Sequence, residues 1–481
     1  MAIKSKNVKI PLIDQHYQTN STDQNARQLI NMFVVPAQTE SKFPMIAYPT
    51  PGLTTFCTTF SAGGEVRALH LWHNVAYVII DDRFCIINSV GNATQLGTLN
   101  TASGFAQIAS TNTQIGMIDS GAGYIYTVAT NVFAEITDAD FPDTPQSLAA
   151  RDGFFIVSTT NTHDFQISSL NDGATWSALD TETAESDSDN IVALHATQKE
   201  LFIFGDVTTE IYINTGNTNF PFERQADGIL PIGCIARESI ASAFKSIFWL
   251  AGSKNGANQV YALSGNQLQV ISTDAIASQI SSLSAVSDAT GYVYEQNGFE
   301  FYVLTFPEAE KSFVYCITTG LWHEWSSYIS GNNVSHRGNC HIFAYNKNLI
   351  GDRITGHVYE LSRTTYTENS NTIRRTLTTA PLAIDNHNIT LYNLRFDIAP
   401  GQGLATGQGS DPTVMLSVSR DGGHTFGSQI TRSAGAVGEY LTRVELSRVG
   451  SARSFVFRLE MSDPIKWEIL GATAMIEIEG V

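Results

Sequence analysis

A two-strand phrase recurs seven times along the first three quarters of the 481-residue chain: an apolar run, a short polar turn, then a second strand centred on an aliphatic residue. The second-strand aliphatics are Ile86, Ile125, Ile167, Ile211, Val260, Val314 and Val358. In five copies a tyrosine follows directly: Tyr126, Tyr212, Tyr261, Tyr315 and Tyr359. Spacings of 39, 42, 44, 49, 54 and 44 residues, made of strands and turns, predict radial β repetition with one four-stranded sheet per blade. The preceding runs (Ala76 to Ile80, Phe154 to Val157, Leu201 to Phe204, Ile247 to Leu250, Phe299 to Leu304) are almost unbroken in apolar character. Such runs suit strands covered on both faces, the situation of a blade packed between its neighbours. In Phe204-Gly205-Asp206 and Ile350-Gly351-Asp352, Gly and Asp stand where a hairpin must reverse. The expected class is therefore all-β, a β-propeller of about seven blades.

A chain of this length exceeds one ordinary core. Residues 1–53 are expected to form an N-terminal arm, with a short helix around Ala26 to Phe33 and prolines at Pro44, Pro49 and Pro51. The propeller is expected over 54–363, with Leu53 to Phe56 completing the last blade. A polar linker follows at 364–371. Beyond it, 372–481 predicts a C-terminal β-sandwich, because Arg395, Asp397, Arg458 and Glu460 alternate with apolar neighbours, the period-two mark of strands with one wet face. The best further helix is Asp274 to Ser282.

With 28 Lys and Arg against 46 Asp and Glu, the net charge of −18 argues against a surface that grips phosphate. It leaves DNA open as a passenger, since an acidic wall repels a polyanion and lets it slide. The five cysteines, Cys57, Cys85, Cys234, Cys316 and Cys340, are far apart, without metal-ligand spacing, and are expected to be reduced core residues. The first residues carry lysines but no apolar segment of a secretory signal, and no stretch approaches a membrane span, so synthesis in a cytoplasm is expected.

Several local patterns resemble active sites without completing one. Ser419-Arg420-Asp421-Gly422-Gly423-His424-Thr425-Phe426 fits the Asp-box, and Ser169 to Trp176 nearly does. That pattern occurs in sialidases, yet its chemistry is that of a turn: the carboxylate accepts from backbone donors, Gly takes a positive φ and the aromatic packs beneath. A sialidase would also need an arginine triad, a Tyr nucleophile with a Glu partner, and an acid. His70 and His73 lie on a strand with side chains to opposite faces, which disfavours a shared ion. Asp187-Ser188-Asp189-Asn190 offers hard oxygens but lacks the Gly and distal Glu of a calcium loop. Gly320-Leu321-Trp322-His323-Glu324-Trp325 is the densest aromatic patch, explained by a partner surface or by packing on a neighbouring blade. No catalytic, cofactor-binding or metal-ligating set is expected. The residues singled out as partner contacts or structural turns are Asp187, Asp189, Trp322, His323, Trp325, Asp421, Gly423 and Phe426.

The segments Leu29 to Pro36, Pro51-Gly52-Leu53, Asn190 to Leu194 running into Leu201 to Gly205, Gly228 to Ile235, Gly320 to Trp325, and Leu416 to Gly422 followed by Phe426 occur in one order along the chain. Together they resemble the tail-hub protein of short-tailed bacteriophages, also called the packaged DNA stabilisation protein, tail accessory factor or nozzle. The resemblance implies a structural virion protein of the phage tail. Such a protein forms a ring, typically a homo-hexamer, beneath the portal and its adaptor ring, retains double-stranded DNA after packaging, and carries a tail needle, fibre or spike. The acidic insert around Glu182 to Asn190 and the glycine-rich tip Pro400 to Asp411 depart from the family and are expected to make partner-specific contacts. The competing expectation is a carbohydrate-binding or sialidase-like propeller acting in host receptor recognition.

Overall fold

The computed structural model describes residues 6–10, 12–37, 40–58, 60, 64–243, 246–252, 258–265, 267–385 and 387–478. Among them, antiparallel four-stranded blades occupy 66–98, 107–135, 145–183, 191–230, 241–270 and 290–324. A seventh joins Gly338–Ala344, Lys347–Asp352 and Val358–Ser362 to Gly52–Cys57, so the chain's early strand supplies the outer edge of its last blade. Leu53 stands opposite Leu361 and Thr55 opposite Tyr359 in that closing pair. Each repeated aliphatic, from Ile86 to Val358, lies in the third strand of its blade.

Seven hydrophobic clusters explain why the blades close into a ring. Ile80 and Val358 share one cluster, Ile79 and Tyr124 the next, then Ile125 with Phe155, Ile156 with Ile203, Phe204 with Trp249, Phe248 with Tyr302, and Val303 with Ile350. Each cluster joins two consecutive blades, and the last returns to the seventh. Burying such a side chain contributes about 1.5–3 kcal/mol, so apolar inter-blade faces are where stability resides. Trp249 and Phe204 meet edge to face at 5.3 Å. The expected helix is present as Asp274–Ser281, capped by Thr273 Oγ1 accepting from Ile276 N at 3.3 Å, with Ile276 and Ile280 buried against the fifth and sixth blades.

The C-terminal part is a β-sandwich. One sheet contains Ile389–Ile398, Val444–Ala452 and Ile469–Ile478; the other contains Arg375–Thr378, Thr413–Ser419, Ile430–Ser433 and Ser454–Met461. N-terminal strands are built into both. Lys6–Ile10, Met32–Pro36 and Met45–Pro49 extend the first sheet, and Ile10, Leu12, Met32, Val34 and Ala47 belong to the sandwich core. The helix expected over Ala26 to Phe33 is instead two strands, Ala26–Ile30 and Met32–Pro36, separated by Asn31 at φ 57°. Good helix formers are overridden here because both strands find paired edges and a buried face. Ala26–Ile30 runs parallel to Leu321–Glu324 of blade six on one side and antiparallel to Arg375–Thr378 of the sandwich on the other. Blade six and the sandwich are thereby one continuous sheet.

The segment 364–371 carries most of a small hairpin, Thr367–Glu368 against Asn371–Thr372. Glu368 pairs in parallel with Leu53, and its side chain is buried. No helix among the described residues is long and apolar enough to cross a membrane.

Candidate functional site

The residues singled out in the sequence fall into three separate places. Asp421 organises the sandwich turn: its Oδ1 accepts from Ser419 Oγ at 2.6 Å and from Thr425 N at 2.9 Å, and Oδ2 accepts from Thr425 Oγ1. These hydrogen bonds hold its carboxyl well below the usual carboxylate range. Gly423, at φ 98°, donates from N to Ser419 Oγ at 2.9 Å. Phe426 lies under the Arg458 guanidinium, 3.8 Å from its ring centroid. The near match in blade three behaves likewise, with Asp172 Oδ1 accepting from Ala174 N and Trp176 Nε1 donating to Gly173 O. In both copies the carboxylate is occupied by its own turn.

Asp189 has the same role between blades three and four. Its Oδ2 accepts from Val207 N and Thr208 N, each at 2.8 Å, fixing the Gly205–Thr208 reversal. Asp187 is half-buried beside Ser188, whose N donates to Asp187 Oδ1 at 2.9 Å.

Trp322, His323 and Trp325 are all buried. Trp322 Nε1 donates to Ile271 O at 2.8 Å and its backbone O accepts from His16 N at 2.8 Å. His323 packs between Phe33 and Phe301, and Trp325 stacks on His336 at 4.0 Å with rings 8° apart. These aromatics lie where the arm crosses blade six, so in the single chain they are packing residues.

The propeller axis is occupied by side chains that no sequence pattern marked. Arg67, entering blade one, spends its guanidinium on five hydrogen bonds: to Gly104 O, Asp81 O, Thr101 O, Thr101 Oγ1 and Phe105 O, at 2.7–3.0 Å. Arg237, entering blade five, reaches across to the Phe105 ring before blade two, 3.5 Å from its centroid. It also donates from Nη1 to Gln146 O of blade three at 3.2 Å. Gln146 Nε2 in turn donates to Val192 O of blade four. Blades two and five stand as far apart as a seven-membered ring allows, so this bridge crosses the axis. The only sequence signal was positional, because all these residues stand at the entry to an inner strand.

Among the enclosed histidines, His70 Nε2 meets Ser110 Oγ at 2.8 Å and His336 Nδ1 stands 4.0 Å from Glu368 Oε1. Desolvation lowers His70, His195 and His341 to about 4, and His323 and His336 to about 3, which keeps their imidazoles neutral. Burial pushes the thiols of Cys85, Cys234 and Cys340 up to about 12, the opposite of an activated nucleophile. Cys85, Cys234, Cys316 and Cys340 are free thiols. Among the described residues no group of three or more His, Cys, Asp or Glu is placed to hold a metal ion.

Comparison with curated proteins gives no match. Solved structures with some likeness include the computationally designed Ika8 protein, at 10% identity over 64% of this chain and 99% of that one, with a TM-score of 0.40. The WD40 domain of Neurospora crassa Pan2 is 8% identical over 68% of this chain and 98% of that one, with a TM-score of 0.43. The extracellular domain of the putative one component system BT4673 from B. thetaiotaomicron is 10% identical over 73% of this chain, which spans only 45% of that one, with a TM-score of 0.43. None of these likenesses is close enough to carry an argument. The family models are decisive: one described as bacteriophage P22 Gp10, beta-propeller, matches residues 8–366, and one described as bacteriophage P22 Gp10, beta-sandwich, matches residues 374–477. Matched over both parts in the order in which they fold, the chain belongs to the bacteriophage P22 Gp10 family, the packaged DNA stabilisation proteins of the phage virion.

Proposed function

We propose that the chain is a subunit of a tail hub or nozzle, a homo-oligomeric ring of six copies that docks beneath the portal and adaptor rings. The ring retains packaged DNA and conducts it at ejection, and a needle, fibre or spike attaches below. Double-stranded DNA is a passenger held without sequence contacts, for which a net charge of −18 is suited.

The observation that carries this reading is the sheet shared by blade six and the sandwich through Ala26–Ile30. Two domains joined by main-chain hydrogen bonds move as one body, and a ring that withstands the outward push of packaged DNA needs stiff subunits. The closed axis adds a constraint: a channel bridged by Arg237 and Phe105 does not pass a duplex, so the conduit runs between copies. The divisions proposed are 1–53, 54–363, 364–371 and 372–481, as segments of sequence, with the first and third folded into the propeller and the sandwich.

Partner contacts are proposed at the loop around Asp187 and at the sandwich tip. There Leu404, Val437, Tyr440 and Leu441 are exposed, and Gly438 N donates to Gly401 O to hold the two tip loops together. Native mass spectrometry of the purified chain with its portal and adaptor tests the reading. A ring of copies bound to the adaptor is expected; a chain that stays monomeric with the adaptor supplied overturns it.

A further inference from the structure

At the end of the propeller opposite the Arg237–Phe105 bridge, where the inner strands of blades five, six and seven finish at Ala243, Gln296 and Ala344, lies a cavity of about 580 Å³. Two of the residues lining it are glutamates that face each other across one hairpin: Glu295, on the inner strand of blade six, stands directly opposite Glu300 on the next strand. Their backbones do not bond to each other, because Glu295 O accepts from Asn348 Nδ2 at 2.9 Å and Glu300 O accepts from Ile317 N at 2.8 Å. That is the mark of a non-hydrogen-bonded antiparallel pair, in which opposed Cβ atoms stand closest, about 4.5–5.5 Å apart. Like charges so placed repel, and desolvation together with the charge of Glu295 raises the Glu300 carboxyl. Glu295 is exposed and Glu300 partly exposed, so a ligand in the cavity reaches both side chains.

The rest of the wall narrows the occupant. Its one cation among the described residues, Lys347, is committed to Glu360, and burial keeps the His341 imidazole neutral. Three carboxylates against one ammonium leave the space negative, which disfavours phosphate, carboxylate and nucleic acid. A bare metal ion needs several oxygens converging on one point, and among the described residues no group of three or more His, Cys, Asp or Glu is placed to supply them. Between the charges the wall carries apolar groups, Val293, Leu361 and Phe343, the last 54% exposed, so its ring is open to a ligand. The volume is that of a site for an organic molecule.

We propose that this cavity binds an organic cation with an aliphatic stem, its ammonium group donating to Glu295 and Glu300 and its methylenes lying against the apolar groups of the wall. An ammonium carries three donors and no acceptor, so one such group serves both carboxylates and removes their repulsion. A free diamine and the lysine side chain of a partner protein share this chemistry. The cavity is formed within one chain and does not depend on how copies assemble, so its failure would leave the ring reading untouched.

The test is isothermal titration calorimetry on the full chain with putrescine, cadaverine and spermidine, and with a short lysine-bearing peptide of blocked ends as a second arm. Butanediol, which keeps the stem and lacks the charge, and magnesium chloride, which keeps the charge and lacks the stem, serve as comparators. At least one amine should bind, more weakly as salt rises, with affinity lowered about tenfold or more by Glu300→Gln and by Glu295→Gln, and unchanged by Asp421→Ala at the distant turn. A response to the free amines identifies a small cation as ligand; a response to the peptide alone identifies a partner's lysine. Should Glu300→Gln lose its native circular dichroism, Glu295→Gln, at an exposed strand end, takes its place. Absence of binding by every amine, equal binding by the glutamine variants, or binding of magnesium or butanediol as tight as that of the amines would overturn the proposal.

Discussion

Asn31 and Ser326 exchange two hydrogen bonds: Asn31 Nδ2 donates to Ser326 Oγ at 3.1 Å, and Ser326 N donates to Asn31 Oδ1 at 2.9 Å. The same Nδ2 donates to Arg374 O of the sandwich at 2.8 Å, while Asn31 N donates to Glu324 O of blade six. One buried side chain in a left-handed backbone conformation therefore ties the N-terminal strands, the propeller and the sandwich at a single point. Asn tolerates that conformation better than most residues, and its amide supplies donor and acceptor together.

Asn31→Ala should cost about 3 kcal/mol or more, because it strands Ser326 N and Arg374 O as well as straining the backbone. Chemical denaturation measures this. Asn31→Gly should recover only the backbone share, and a variant with wild-type stability would remove Asn31 from its role as the joint.

Glu368 predicts a pH dependence. Its carboxyl is buried, accepts from Ser327 Oγ at 2.7 Å, and is raised to about 7 chiefly by desolvation, with Arg337 opposing and Asp352 adding. His336, 4.0 Å away, stays neutral. A folded value above the unfolded one of roughly 4.3 means that the folded chain binds this proton more tightly. The contribution is fully present below the unfolded value and is lost as pH rises toward 7. The buried histidines act in the other direction, losing stability as pH falls below about 6.5, so the difference between Glu368→Gln and wild type isolates the carboxyl. The variant should gain about 1–3 kcal/mol relative to wild type at pH 8 and little at pH 4, read from urea midpoints. A pH-independent difference would contradict this.

Arg237→Ala should lower stability by about 1–2 kcal/mol, through loss of the Phe105 contact and the Gln146 bond, without changing assembly. Thermal melts alongside native mass spectrometry measure both. Loss of the ring would instead place Arg237 in an interface.

Asp421→Ala should leave the fold intact and speed amide exchange across 419–427, with no sialoside hydrolysis by either protein. Its carboxyl is held low by Ser419 and Thr425, so its contribution is present above the usual carboxylate range and fades as pH falls through the depressed value. Hydrogen exchange at two pH values is the readout, and hydrolysis by the wild type would contradict the turn assignment.

The propeller was legible because its physics is local and repeated. Third-strand aliphatics such as Val260 and Val314 are buried in six of the seven blades, with Ile86 of blade one partly buried, and Leu53 closes the ring through the same kind of pairing. The arm was not legible as strands. Ala26 to Phe33 is rich in helix formers, and only partners some 300 residues away, Glu324 and Thr376, make Ile30 a strand residue. The bridge across the axis was hidden for the same reason, since Phe105 and Arg237 are brought together only by ring closure. Trp322, His323 and Trp325 were visible as an aromatic cluster, yet their burial depends on those same unseen N-terminal strands.

Cryo-electron microscopy of the phage tail tests the central claim most directly. The account predicts a ring of copies below the portal, each a rigid propeller–sandwich unit, with the duplex running between subunits and each propeller axis closed by side chains. Duplex density threading a propeller axis, or a tail that lacks this chain, would contradict it.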